Sequence, residues 1–138
     1  DHAPHTSSEK RQSYFRAPAG LPLVQHALQV LFDLAARGEI SHELIVDKAC
    51  HAPADLFGVG ERGYVREGWY ADLVIVDPER PQLIDKSSLL AKCHWSPFEG
   101  HEFTATIDTT IVNGEVVYRD GELTKNIPGQ RLEFSRAR

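Results

Sequence analysis

A carboxylate and two imidazoles stand within the first five residues, Asp1-His2-Ala3-Pro4-His5, held open by a proline. Such groups ligate metals and move protons near neutral pH, and no other five-residue stretch of the 138 residues holds two imidazoles. Asp and His are also common surface residues, so the cluster taken alone is better described as a solvated, frayed end.

A second place that invites chemistry is Cys93-His94. Adjacent residues rarely point at one metal, and no further Cys or His pair supports them. Trp95 and Phe98 suggest instead a loop pinned by aromatic packing. His26, His42 and His51 fall on different helix faces without the HExxH spacing of a ligand pair, which makes them structural or solvated. Cys50 and Cys93 lack CxxC spacing, giving neither a disulfide framework nor a zinc ribbon, and they fit a reducing compartment.

The elements that must position these groups follow from periodicity. Thr6 to Ser13 reads as a loop with one helical turn, which Ser7 and Ser8 can cap, and Ala17-Pro18-Ala19-Gly20 breaks regular structure. From Pro22 to Ala36, Val24, Ala27, Leu28, Leu31, Leu34 and Ala35 recur at helical spacing, with Gly38 placed to end the helix. Ser41 can cap a second helix to about Ala49, with Ile40 stapled on Ile45, and a third is expected from Pro53 to Phe57, closed by Gly58. Beyond it, Gly60, Gly63 and Gly68 mark a change of pattern, and a boundary is expected at 59/60.

The second part reads as strands. Leu73 to Val76 is a short apolar strand, and Thr106 to Val112, Asn113-Gly114, Glu115 to Arg119 is a hairpin signature. Asp120-Gly121 offers another turn, and a last strand is expected around Arg131 to Phe134. Lys86 to His101 is the longest irregular stretch, and the strands imply a small, mostly antiparallel sheet or sandwich.

With 41% hydrophobic residues, 25% charged and a net charge of -5, the chain reads as mildly acidic and globular, without a basic nucleic-acid surface. No run approaches the roughly 20 apolar residues of a membrane span, and no signal peptide is evident. The chain contains no Met and begins inside a motif, so a fragment of a longer polypeptide is expected.

The cluster continues in a telling way. Asp1-His2-Ala3-Pro4-His5-Thr6, Glu9-Lys10 and Arg16-Ala17-Pro18-Ala19-Gly20-Leu21-Pro22 resemble the dihydroorotases, zinc amidohydrolases of pyrimidine synthesis. So, in order, do Cys50 to Gly58, Gly68 to Asp77, Ser96-Pro97-Phe98-Glu99-Gly100 and Val112-Asn113-Gly114. The resemblance covers essentially the whole chain and only the C-terminal third of such an enzyme.

The resemblance implies an α/β fold: the C-terminal part of a (β/α)8 TIM barrel, its last strand and helices, over residues 1–59, then part of a small β-sandwich over 60–138. Asp1 would end the eighth strand, where barrel enzymes place their chemistry. By the same carry-over Asp1 is both zinc ligand and proton shuttle, His5 meets the substrate's exocyclic carboxylate, and Ala19 and Gly20 contact substrate through their backbone. Many family members have Phe where Ala19 stands. His2 receives no role. The family's other metal ligands and its substrate arginine lie upstream of this chain. The expectation is therefore that the chain alone holds no catalytic zinc, is inactive, and pairs with the rest of the parent enzyme or with itself.

The reaction implied is interconversion of dihydroorotate and N-carbamoyl-aspartate in the cytoplasm, with one or two zinc ions in the full-length enzyme and neither nucleic acid nor membrane as partner. Two alternatives stand beside it: a hydantoinase- or allantoinase-type amidohydrolase, and a non-catalytic dihydroorotase-like scaffold. His5, with Ala3-Pro4 before it, favours a substrate bearing a carboxylate, and intact Asp1 and His5 weigh against the scaffold.

Overall fold

The computed structural model describes residues 2–124 and 129–135. Its first helix, α1 (Ser7–Lys10), is a single turn. The longest, α2 (Ala27–Ala36), is preceded by a 3-10 turn at Val24–His26, so the continuous helix begins later than Pro22. It ends as the glycine predicts: Gly38 takes a positive φ of 73°, and the amides of Gly38 and Glu39 bond back to Ala35 and Leu34.

Contacts group the chain into two units, each made of two stretches. The first joins Asp1–Asp33 to Pro78–Thr106. Its core is Ile84, Leu89 and Phe103, with Val30 and Phe98 packed against them. The strands β2 (Gln82–Leu83) and β3 (Glu102–Phe103) pair antiparallel and pinch off the irregular stretch between them. Two-residue strands are too short to show as alternation, which is why pattern alone misses this pair.

Val30 of α2 packs on this core, but the fully buried residues of α2 are polar. Gln29 and Asp33 are 3% and 9% exposed, while Val24 of the apolar stripe is 65% exposed. Gln25 donates to the Ser88 carbonyl at 2.7 Å and accepts from the Leu90 amide at 2.9 Å. One helical turn on, Gln29 donates to Gln82 Oε1 at 2.8 Å and to the Ala105 carbonyl at 3.2 Å. Asp33 accepts from the Thr104 amide and hydroxyl, both at 2.9 Å, and meets His101 Nε2 at 2.9 Å. Positions i, i+4 and i+8 thus satisfy loop backbone that has little ladder of its own. Burial alone would raise the Asp33 carboxyl, but the Thr104 amide, His101 and the Thr104 hydroxyl outweigh it and hold it below its ordinary value.

The second unit joins Leu34–Asp77 to Ile107–Arg138. Ser41 caps α3 (His42–Val46) by accepting from the Leu44 amide at 3.2 Å. A π turn, Asp47–His51, carries the chain straight into α4 (Ala52–Phe57), so the second and third expected helices run on without a break. Gly58, at φ +62°, closes α4 as expected.

The sheet of this unit has the order β1 (Leu73–Asp77), β4 (Thr106–Val112), β5 (Glu115–Arg119), β6 (Glu122–Leu123). The Asn113-Gly114 hairpin joins β4 and β5 as predicted, both residues having positive φ, 51° and 83°. A register shift between Thr110 and Ile111 marks a bulge, leaving Val117 as the extra residue on β5.

The expected last strand, Arg131 to Phe134, is not one. It makes an isolated bridge from Phe134 to Val59, flanked by bonds from the Gly60 amide to Glu133 and from the Ser135 amide to Gly58. A buried cation ties the motif blocks together: Arg62 pairs with Asp72, donates to Asn113 Oδ1 at 2.7 Å, and lies over the Tyr70 ring at 4.1 Å. Asp72 in turn accepts from the Asn113 amide at 2.8 Å.

Candidate active-site loop

Short-range chemistry shapes the first loop. Thr6, extended at φ -68° and ψ 155°, caps α1, and Glu9 returns the bond to the Thr6 amide at 2.7 Å. This is a capping box, so the cap is Thr6 rather than Ser7 or Ser8. The Thr6 hydroxyl, then its amide, lower the Glu9 carboxyl below its ordinary range, with a smaller contribution from His5.

Lys10, in the last turn of α1, reaches away from its helix. Its ammonium donates to the Pro18 carbonyl at 2.7 Å and the Gly20 carbonyl at 3.1 Å, bracketing Ala19. Gly20 has φ +94°, and a Cβ there would lie 2.4 Å from the Ala3 Cβ. The Ala3 amide bonds to the Leu21 carbonyl at 2.9 Å. Glycine is thus required both by backbone conformation and by the approach of Ala3. This contact, unlike closeness to a ligand, holds whatever the site binds.

His5 is half-buried, and its amide bonds to the Ala3 carbonyl at 2.9 Å, tightening the turn through Pro4. Its own carbonyl accepts from Trp95 Nε1 at 2.7 Å. His2 is exposed, and its Nδ1 lies 3.4 Å from the Val24 amide, at the start of the 3-10 turn. The structure therefore brings the His5 segment and the Ala19-Gly20 pair together through Ala3, Gly20 and Leu21. Asp1 lies outside the described residues.

The 86–101 stretch behaves as the aromatic reading expects: Trp95 pins His5, and Phe98 joins the core of the first unit. Cys93 makes a 3.7 Å contact to the Trp95 carbonyl, and His94 is exposed. His26 is 1% exposed, its ring stacked near Phe103 and edge-on to Phe98. Burial lowers its pKa below the ordinary histidine value. His51 stacks on Tyr64 at 4.1 Å, and His42 is exposed. Among the described residues, no three His, Cys, Asp or Glu side chains converge where a metal ion could sit.

Lys10 and Trp95 are the residues that sequence reasoning passed over as positioning groups. Lys10 left one signal, a cation directly after a capping box and ahead of a Pro-Ala-Gly turn, which it shares with Arg11 and Arg16. For Trp95 the aromatic loop was legible, but its partner, 90 residues away, was not.

The amidohydrolase family profile matches residues 17–117. A dihydroorotase of Halobacterium salinarum is 41% identical over 134 residues, 96% of this chain and 31% of that protein. One from Methanothermobacter thermautotrophicus is 37% identical over 89% of this chain and 28% of its own length. Among solved structures, a D-hydantoinase (dihydropyrimidinase) from Thermus sp. superposes with a TM-score of 0.83 at 27% identity, covering 91% of this chain and 29% of the other. The chain therefore spans about three-tenths of the length of the proteins it matches.

Proposed function

The chain belongs to the amidohydrolase family, and from that premise we propose that it is the C-terminal part of a dihydroorotase. In this reading residues 1–59 finish a (β/α)8 barrel and 60–138 form part of a small β-sandwich, a division of the parent fold distinct from the grouping by contacts. The reaction is the reversible hydrolysis of dihydroorotate to N-carbamoyl-aspartate, in cytoplasmic pyrimidine synthesis.

The observation that carries the reading is the joining of the His5 segment to Ala19-Gly20. A half-buried imidazole on a braced turn suits the exocyclic carboxylate of dihydroorotate, by donating or by carrying charge. Ala19 is exposed beside it and offers backbone to the ring. Asp1 is assigned the proton, taking it from the attacking water and returning it to the leaving amide nitrogen.

The described residues do not fit a zinc site by themselves, since a catalytic zinc takes about three protein ligands. Asp1 is proposed as one ligand, and the rest of the set, with the one or two ions it holds, as the contribution of the remaining parent enzyme. It follows that the 138-residue chain alone does not turn substrate over. Its open apolar side chains, Tyr14 and Phe15 at 89% and 95% exposure among them, suit covering by the rest of the parent or by another copy. No helix among the described residues is long and apolar enough to cross a membrane.

The likeness to hydantoinases keeps a second substrate class in view. The test compares turnover of dihydroorotate, hydantoin and allantoin by the complete zinc-loaded protein with and without Asp1→Ala. Dihydroorotate-selective turnover, lost by at least a thousandfold or so in D1A, is expected, since shuttle and ligand go together. Preference for hydantoin would move the assignment to that class. No turnover on any of the three, with normal folding and zinc content, would favour a scaffold.

A further inference from the structure

We propose that Lys10 is a positioning residue for substrate binding, clasping the two segments that meet the substrate into one surface. The inference rests on the assignment of His5 and Ala19-Gly20 to the substrate site.

Lys10 is the last residue of a helix whose first turn is fixed by Thr6, the residue directly after His5. Its ammonium ends on the carbonyls either side of Ala19, at 2.7 and 3.1 Å. Two neutral acceptors on one ammonium make charge-assisted bonds that set spacing without neutralising the charge. Among the described residues no carboxylate pairs with Lys10, which puts a cation beside a site assigned to an anion. Trp95 braces the other side, donating to the His5 carbonyl at 2.7 Å. The 11–17 segment has no helix or strand to hold Ala19 in place. With the Lys10 bonds removed, the Ala3-to-Leu21 bond is, among the described residues, the backbone hydrogen bond that still joins the Ala19-Gly20-Leu21 stretch to the His5 segment.

The experiment uses the complete zinc-loaded protein with Lys10→Met and Lys10→Arg. Losing two charge-assisted bonds that order a binding surface is expected to raise KM for dihydroorotate about tenfold or more while kcat stays within about threefold. Lys10→Arg, which can also donate to both carbonyls, is expected to recover most of the loss. Amide exchange at Ala3 is expected to speed up about tenfold in K10M, because its acceptor, Leu21, adjoins the released segment. An active protein whose KM is unmoved in K10M overturns the proposal. So does a parallel fall of kcat, melting temperature and zinc content in both variants, which marks a residue of general stability. If the unaltered protein turns over no dihydroorotate, the functional assignment fails. The clasp is then decided by exchange alone, and unchanged exchange at Ala3 sinks it.

Discussion

The first loop and the β4–β5 hairpin both turn on a glycine with positive φ, Gly20 at 94° and Gly114 at 83°, yet only the hairpin has a strand ladder of its own. The hairpin turn is chosen locally by its two central residues, and the flanking strands supply its ladder, while its tip is tied to Ala71 and Asp72 through the Gly114 and Asn113 amides. A Cβ on Gly114 would meet nothing within 4 Å. The loop is held by contacts from elsewhere: Ala3 against Gly20, Lys10 across to Pro18 and Gly20, and Trp95 onto His5. The loop has no ladder of its own, so side chains from other elements must satisfy its backbone.

The contrast can be broken at several points. The largest effect is expected where the sheet region itself stops being local, at the buried Arg62 that joins Asp72 and Asn113. Arg62→Met should cost about 3 kcal/mol, because it leaves Asp72 without its cation and the Asn113 side chain without its donor. A urea titration of the variant measures this, and a loss under 1 kcal/mol would show the network to be incidental.

Gly20→Ala should cost about 2–3 kcal/mol, from left-handed strain of about 1 kcal/mol and the clash with Ala3. Gly114→Ala should show the strain alone, about 1 kcal/mol. Equal losses would mean that the loop has room to relax and that the close approach of Ala3 is not a constraint.

The smallest effect separates the groups by pH. His26 has its pKa lowered by burial, so its contribution is complete above the unfolded value of about 6.5 and is lost as pH falls through the folded value. Asp33 is also depressed, and its contribution persists above about pH 3.9 and is lost as pH falls through its folded value. Stability is thus expected to decline in two steps on acidification. The upper step should vanish in His26→Phe and the lower in Asp33→Asn, each followed by urea midpoints across pH 3–8. An upper step that survives in His26→Phe would assign it elsewhere.

Much was legible in the chain because it depends on neighbours. The Asn-Gly turn, the glycine ends at Gly38 and Gly58, and the Ser41 cap are each decided within a few residues by sterics and short hydrogen bonds. So was the resemblance to the amidohydrolases, which the family match over residues 17–117 and the dihydroorotase relatives bear out.

Only the tertiary structure decided which face of α2 is buried. Apolar spacing pointed to Val24, Leu28 and Leu31, whereas the fully buried residues of α2 are Gln29 and Asp33, because the segment facing them offers unpaired backbone. Tertiary structure likewise decided that Phe134 bridges to Val59 instead of extending a sheet, and that Lys10 belongs to Pro18 and Gly20. The sequence determined the turns, caps and chemical groups, whose energetics are local. The pairing of distant backbone with side chains was settled by folding, since its partners become neighbours only once the chain has closed on itself.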